Sequence, residues 1–200
     1  TDKYAQAYFA YDSKKSGGVT TSHLRFGDSP IRSPYLVNSP DFVACHVPAY
    51  LDKYDMLKGL KKGGVFLFNS IWSAEETKER LPDHMKKYMA ENSINFYIIN
   101  ATRIADEIGL GTRTNTIMQA AFFKVADVIP YAKAEEEMKK AIYKSYGKKG
   151  ENIVKMNYSA VDMGSDVTKV EIPAEWAKIE VTNQADTREI PEFVKNIMEP

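Results

Sequence analysis

The sequence predicts an α/β fold: one three-layer α/β/α domain over residues 1–181 with a mixed, mostly parallel sheet. Three observations predict it. Short apolar runs at 41–46, 65–69 and 94–100 have the length and composition of strands buried on both faces. Segments with helical spacing lie between and after them, so strand and helix alternate through the middle of the chain. Two strand-like segments near the start, 4–11 and 19–26, are joined by a loop with Gly17 and Gly18 and read as a β-hairpin that makes the sheet mixed.

The elements follow in order. In the second hairpin strand Val19, Thr21, His23 and Arg25 share one face and Thr20, Ser22, Leu24 and Phe26 the other. Pro30, Pro34 and Pro40 keep residues 29–40 extended. After the 41–46 strand, Pro48 starts a helix over 49–60 with Leu51, Tyr54, Met56, Leu57 and Leu60 at apolar positions, closed by Gly63 and Gly64. Ser73 and Glu76 have capping-box spacing; Pro82 interrupts that helix, and 83–92 resumes it with Met85, Tyr88 and Met89 on one side. Thr102 caps a helix that Gly109 ends. Residues 115–129 are apolar nearly all round, as in a helix covered on most sides, and Pro130 stops it. The helix over 135–145 pairs Glu135 with Lys139 and Glu136 with Lys140, and the last helix spans 152–162. Residues 167–181 read as extended, and 182–200 as a linker toward a following domain.

The 27 basic residues balance the 27 acidic ones, so no global field draws in nucleic acid or an anionic membrane. No apolar run is long enough to span a bilayer. With Cys45 alone the chain can build neither an internal disulfide nor a thiolate-bound cluster, and a reducing cytoplasm fits. The chain starts at Thr1 and carries apolar residues almost to Pro200, as expected of a piece of a longer polypeptide.

Two places have the chemistry of an anion site. The hairpin loop offers Lys14 and Lys15 as point charges, the Ser16 hydroxyl, and the backbone N–H groups of Gly17 and Gly18. It is not a Walker A motif, because its glycines follow the lysines and a strand comes next; the alternative is a solvated loop. Arg113, Thr114 and Asn115 open the apolar helix, where N–H groups favour an anion, or where Thr114 or Asn115 simply caps. Cys45 and His46 are adjacent, and neighbouring strand residues face opposite ways, so an inert buried thiol is expected. His23 and His84 lack ligand-like spacing, Trp72 and Trp176 read as core or interface, and no catalytic triad stands out.

Long stretches resemble pyruvate:ferredoxin (flavodoxin) oxidoreductases: residues 7–27; Ser33-Pro34-Tyr35; Ala44-Cys45-His46; Ala49-Tyr50-Leu51; 105–111; 118–124; and 144–150. The likeness is to the third domain of the large single-chain enzyme, equivalent to the gamma subunit of multi-subunit relatives. It implies oxidative decarboxylation of pyruvate with coenzyme A to acetyl-coenzyme A and carbon dioxide, with electrons passing to ferredoxin or flavodoxin. It implies that thiamine diphosphate and [4Fe-4S] clusters sit in other domains and that the parent is a homodimer; the glycine-rich strand and helix with which the family's third domain opens are missing from this chain, and with them part of the expected ligand cradle. This domain is then expected to contribute to a coenzyme A site. Lys14, Lys15, Ser16, Gly17 and Gly18 would be its first contacts, and Arg113 and Asn115 its second. The alternatives are an interdomain scaffold without ligand contacts and a free-standing nucleotide- or acyl-carrier-binding enzyme.

Overall fold

The computed structural model describes residues 3–11, 19–32 and 36–181. Strand β1 (Tyr4–Tyr11) pairs antiparallel with β2 (Thr20–Gly27), Tyr4 opposite Gly27 and Tyr11 opposite Thr20. The predicted hairpin is present, but it does not enter the main sheet. Its ladder closes on itself, so it is a two-stranded sheet of its own. It is tied to the rest by side chains: Phe26 of β2 stacks on Phe122 at 5.9 Å, and Phe42 meets the same ring edge-on at 4.9 Å.

The main sheet runs β3 (Phe42–Cys45), β4 (Val65–Asn69), β5 (Asn95–Ile99), β6 (Thr168–Val170). The first three are parallel, and β6 joins β5 antiparallel, with Phe96 opposite Val170. The sheet is therefore mixed and mostly parallel, as expected, though β6 rather than the hairpin makes it so. Phe66, Leu67 and Phe68 are all fully buried, because layers cover β4 on both faces.

On one face Phe66 stacks on Phe96 at 5.3 Å and on Phe68 at 6.2 Å. Helix α1 (Ala74–Arg80), helix α2 (Asp83–Glu91) and the β3–β4 connection cover them with Leu81, Met85, Met89, Leu57 and Leu60. The capping box forms: the Ser73 hydroxyl accepts from the Glu76 N–H at 3.3 Å, and the Glu76 carboxylate accepts from the Ser73 N–H at 3.0 Å. That N–H holds the Glu76 carboxyl below its ordinary range.

The other face is covered by α3 (Ala101–Glu107), α4 (Asn115–Val125) and, after α5 (Tyr131–Tyr146), by α6 (Glu151–Met163). Helix α4 is apolar on most sides for a physical reason, with Asn115, Gln119 and Lys124 on its exposed side. One side meets the sheet, and Ala120 on another joins Met138 and Ile142 of α5 and Val154 and Val161 of α6. Gly164, at the end of α6, lets that helix close on α4; a Cβ there would lie 2.7 Å from both Ala120 Cβ and the Ile117 carbonyl oxygen. Gly164→Ala is expected to cost about 1–3 kcal/mol through overpacking, read from urea unfolding midpoints.

Local expectations are corrected in four places. Residues 49–60 form no helix: a 3-10 turn over Pro48–Tyr50 is followed by irregular turns that bury Leu51, Leu57 and Leu60. Gly59 takes φ 84° where a Cβ would collide with the Asn38 carbonyl, a conformation no helix contains. Asn100, not Thr102, caps α3; its side chain accepts from the Arg103 N–H at 2.9 Å. Helix α4 ends at Val125, four residues early, as the chain turns toward Asp127 at φ 49°. Within 167–181 only β6 is a strand; Pro173 then leads into a 3-10 turn over Ala174–Lys178 that packs Trp176 against the α2 side of the core.

The helices carry local ion pairs. Lys139 reaches Glu135 at 2.6 Å and Lys140 reaches Glu136 at 2.6 Å, as their spacing predicts. Lys78–Glu75, Lys86–Asp83, Arg103–Glu107 and Lys155–Glu151 repeat the pattern on α1, α2, α3 and α6. Among the described residues no helix is long and apolar enough to cross a membrane.

Candidate functional site

The chain leaves β4 toward the α1–α2 face and leaves β5 toward the α3 face. Where neighbouring parallel strands send their connections to opposite sides, a crevice opens outside their carboxyl ends. Here it has a volume of about 200 Å³. Ser70, Trp72 and Ser73 form one lip, Asn100 and Arg103 the other, and Asp166 and Thr168 close the end.

Asn69, the last residue of β4 and 2% exposed, lies just behind the crevice and ties the strand ends together. Its amide donates to the His46 carbonyl at 3.0 Å and to Thr102 Oγ1 at 3.2 Å, and its Oδ1 accepts from the Ala101 N–H at 3.0 Å. One side chain thus links the ends of β3 and β4 to the first turn of α3. Ser70, 1% exposed, shares a 2.7 Å hydrogen bond with Thr77 and accepts from the Trp72 N–H. Arg103 pairs with Glu107 at 2.6 Å, and the Arg80 guanidinium sits 4.6 Å from the centre of the Trp72 ring. The buried side-chain polar atoms of the described residues all have partners, so the crevice is preformed and internally satisfied.

Of the two predicted anion sites, Lys14, Lys15, Ser16, Gly17 and Gly18 lie outside the described residues, in the segment between β1 and β2. The second is on view. Gly109 and Gly111 take φ 79° and 59°, bringing the chain sharply from α3 into α4. Arg113 remains exposed but donates through Nε to the Leu110 carbonyl at 3.0 Å, bracing its own turn. Asn115 is exposed at the first position of α4, and Thr114 makes no side-chain cap bond. The two residues are brought together by proximity in the chain.

The other candidates take structural places. Cys45 is 2% exposed; burial pushes its thiol up to about 11, and Sγ donates to the Val47 carbonyl at 3.2 Å. It is an inert thiol at neutral pH, while His46 is exposed beside it. His23 Nδ1 accepts from the Val37 N–H at 3.1 Å, fixing the chain after the hairpin. His84 is exposed on α2. No three His, Cys, Asp or Glu side chains come together as a metal site among the described residues.

Sequence reasoning did not pick out the crevice. One signal for it exists: two buried apolar strands, Val65–Asn69 and Asn95–Ile99, each run into an asparagine, Asn69 and Asn100, at the same end of the sheet. A polar side chain closing a buried parallel strand marks the side on which such domains build sites.

These features define a doubly wound α/β domain, with helices on both faces and a crevice at the strands' carboxyl ends. The chain belongs to the pyruvate ferredoxin/flavodoxin oxidoreductase family, whose model matches residues 1–167. The resemblance read from its long segments is thereby borne out. It is 53% identical over its whole length to a pyruvate-flavodoxin oxidoreductase of Enterobacter agglomerans, and it spans 17% of that relative's length. Among solved structures it is similar to pyruvate oxidoreductase subunit PORC of Thermotoga maritima. That match has a TM-score of 0.65 at 22% identity and covers 84% of this chain and 83% of the other. It is also similar to the 2-oxoglutarate:ferredoxin oxidoreductase of Magnetococcus marinus with 2-oxoglutarate, coenzyme A and succinyl-CoA bound. There the TM-score is 0.54 at 17% identity, covering 88% of this chain and 26% of the other. At these identities the two structures establish the fold alone.

Proposed function

We propose that this chain is one domain of an enzyme that oxidatively decarboxylates pyruvate. Pyruvate and coenzyme A give acetyl-coenzyme A and carbon dioxide, and two electrons pass to ferredoxin or flavodoxin. The observation that carries this reading is the 53% identity, across every part of the chain, to a relative named for pyruvate and flavodoxin. Thiamine diphosphate and [4Fe-4S] clusters belong to other domains of the parent, a cytoplasmic homodimer. Within that parent, residues 1–181 form the domain, without the glycine-rich strand and helix that open it in the family, and 182–200 are a linker toward a following domain.

The domain's own task is to hold coenzyme A and to pack against its neighbours. Lys14 and Lys15 pair with the ligand's phosphates, while Ser16 and the backbone of Gly17 and Gly18 donate hydrogen bonds. Arg113 and Asn115 are a second contact set: the Arg113 guanidinium keeps donors beyond the one spent on Leu110, and both side chains are exposed. A relative of the same fold was solved with coenzyme A bound, which supports this ligand.

The test is the coenzyme A affinity of the parent enzyme carrying Lys14→Ala with Lys15→Ala. Each charge-assisted phosphate contact is worth roughly 1.5–3 kcal/mol, so losing both is expected to raise Kd by about a hundredfold or more. An unchanged Kd removes the loop from the site and leaves an interdomain scaffold as the domain's role.

A further inference from the structure

The hairpin carries an apolar surface that the described residues leave uncovered. Directly opposed residues of an antiparallel pair share a face. Ala5 with Phe26, Ala7 with Leu24, and Phe9 with Ser22 therefore line one side of the ribbon. Near its base this side is anchored by Phe26 on Phe122. Further out Phe9 is 51% and Leu24 50% exposed. The opposite side carries Tyr4, Gln6, Tyr8, His23 and Arg25; its two half-exposed rings are tyrosines, with hydroxyls that water can satisfy, and there His23 is engaged by Val37. The first side has no charged residue between Ala5 and Phe9 or between Ser22 and Phe26, since Lys, Arg, Asp and Glu are absent from it.

An isolated two-stranded ribbon is marginal in water, and one with uncovered aromatic and leucine side chains is more so. We propose that this outer face, centred on Ala7, Phe9 and Leu24, docks against an uncharged, apolar surface of a flanking domain of the same parent polypeptide. The proposal rests on the reading that the chain is one domain of a longer enzyme, and it names the surface used for packing.

Two arguments select a flanking domain over a second copy. The matched segment is 17% of the Enterobacter relative, so most of such a polypeptide is available to cover the face. The face is also small. Eight residues of a two-stranded ribbon span roughly 300 Å². Free partners need on the order of 1,000 Å² to associate stably, whereas a tethered domain meets the face at an effective concentration near the millimolar range. A patch of this size suits a neighbour already joined to it.

The test places the photocrosslinking residue p-benzoylphenylalanine at position 24, and separately at position 9, of the full parent enzyme. Phe9 is already aromatic, so at that position the substitution only extends an existing ring. The expected result is a crosslinked peptide from the same polypeptide outside this segment, several-fold more abundant than any other product. Capture of a second copy's hairpin, or no crosslinked peptide at all, overturns the proposal. Hydroxyl-radical footprinting of the unmodified parent gives an independent reading: Phe9 and Leu24 are expected to be oxidised several-fold more slowly than in the urea-unfolded enzyme, and equal rates overturn the proposal. Neither readout involves coenzyme A, so its failure and that of the lysine-loop reading are separable.

Discussion

Phe66→Ala is expected to lower the free energy of unfolding by about 3–5 kcal/mol, the usual range for removing a buried phenylalanine. Phe66 is fully buried in β4, and its ring stacks on Phe96 at 5.3 Å and on Phe68 at 6.2 Å. Truncation removes its transfer free energy and leaves a cavity walled by two strands and two helices that cannot all move in. Phe66→Leu keeps most of the volume but loses the ring contacts, and is expected to cost about 1–1.5 kcal/mol. Guanidinium titrations of the two variants check this. A cost below about 1 kcal/mol for the alanine variant would mean that the α1–α2 layer collapses onto the sheet.

Asn69→Leu is expected to cost about 2–5 kcal/mol, because it strands two backbone groups rather than removing bulk. The Ala101 N–H loses its acceptor and the His46 carbonyl its donor, at the buried carboxyl end of the sheet. Asn69→Asp separates the two losses. It keeps an acceptor for Ala101 but sets a carboxylate oxygen against the His46 carbonyl, and burial raises the pKa of that carboxyl above its unfolded value. A group raised in this way favours the fold at low pH, and that contribution fades as pH climbs through the folded pKa. The aspartate variant should therefore gain on the leucine variant in acid and lose that advantage near neutrality. Unfolding midpoints compared at both pH values read this directly, and parallel behaviour of the two variants would contradict it.

The three parallel strands were legible because burial on both faces leaves an unbroken apolar run, as in Phe66-Leu67-Phe68. The family was legible because long segments match in order. Local spacing misled where tertiary contacts overrode it. Leu51, Leu57 and Leu60 fit a helix, yet Gly59 turns left-handed against Asn38, and the same leucines reach the core from irregular turns. Thr102 and Asn100 are both good caps, and what decides between them is where β5 stops. Strand periodicity identified the hairpin but could not say which sheet it joins, since pairing between distant segments leaves no local trace. The crevice was hidden for a related reason: it depends on the side of the sheet to which each connection crosses. Of the candidate site, the Arg113–Asn115 turn falls where the sequence put it, and Lys14 to Gly18 lie outside the described residues.

The short-spaced ion pairs along α1, α2, α3, α5 and α6 have a kinetic corollary. Each places a cation within one helical turn of an anion, so the fields cancel before they extend past the roughly 8 Å over which salt leaves them intact. A negatively charged molecule approaching these helices is not guided from a distance. Its capture by this part of the surface proceeds at an unassisted diffusional rate that added salt changes little, and discrimination rests on contacts made after arrival.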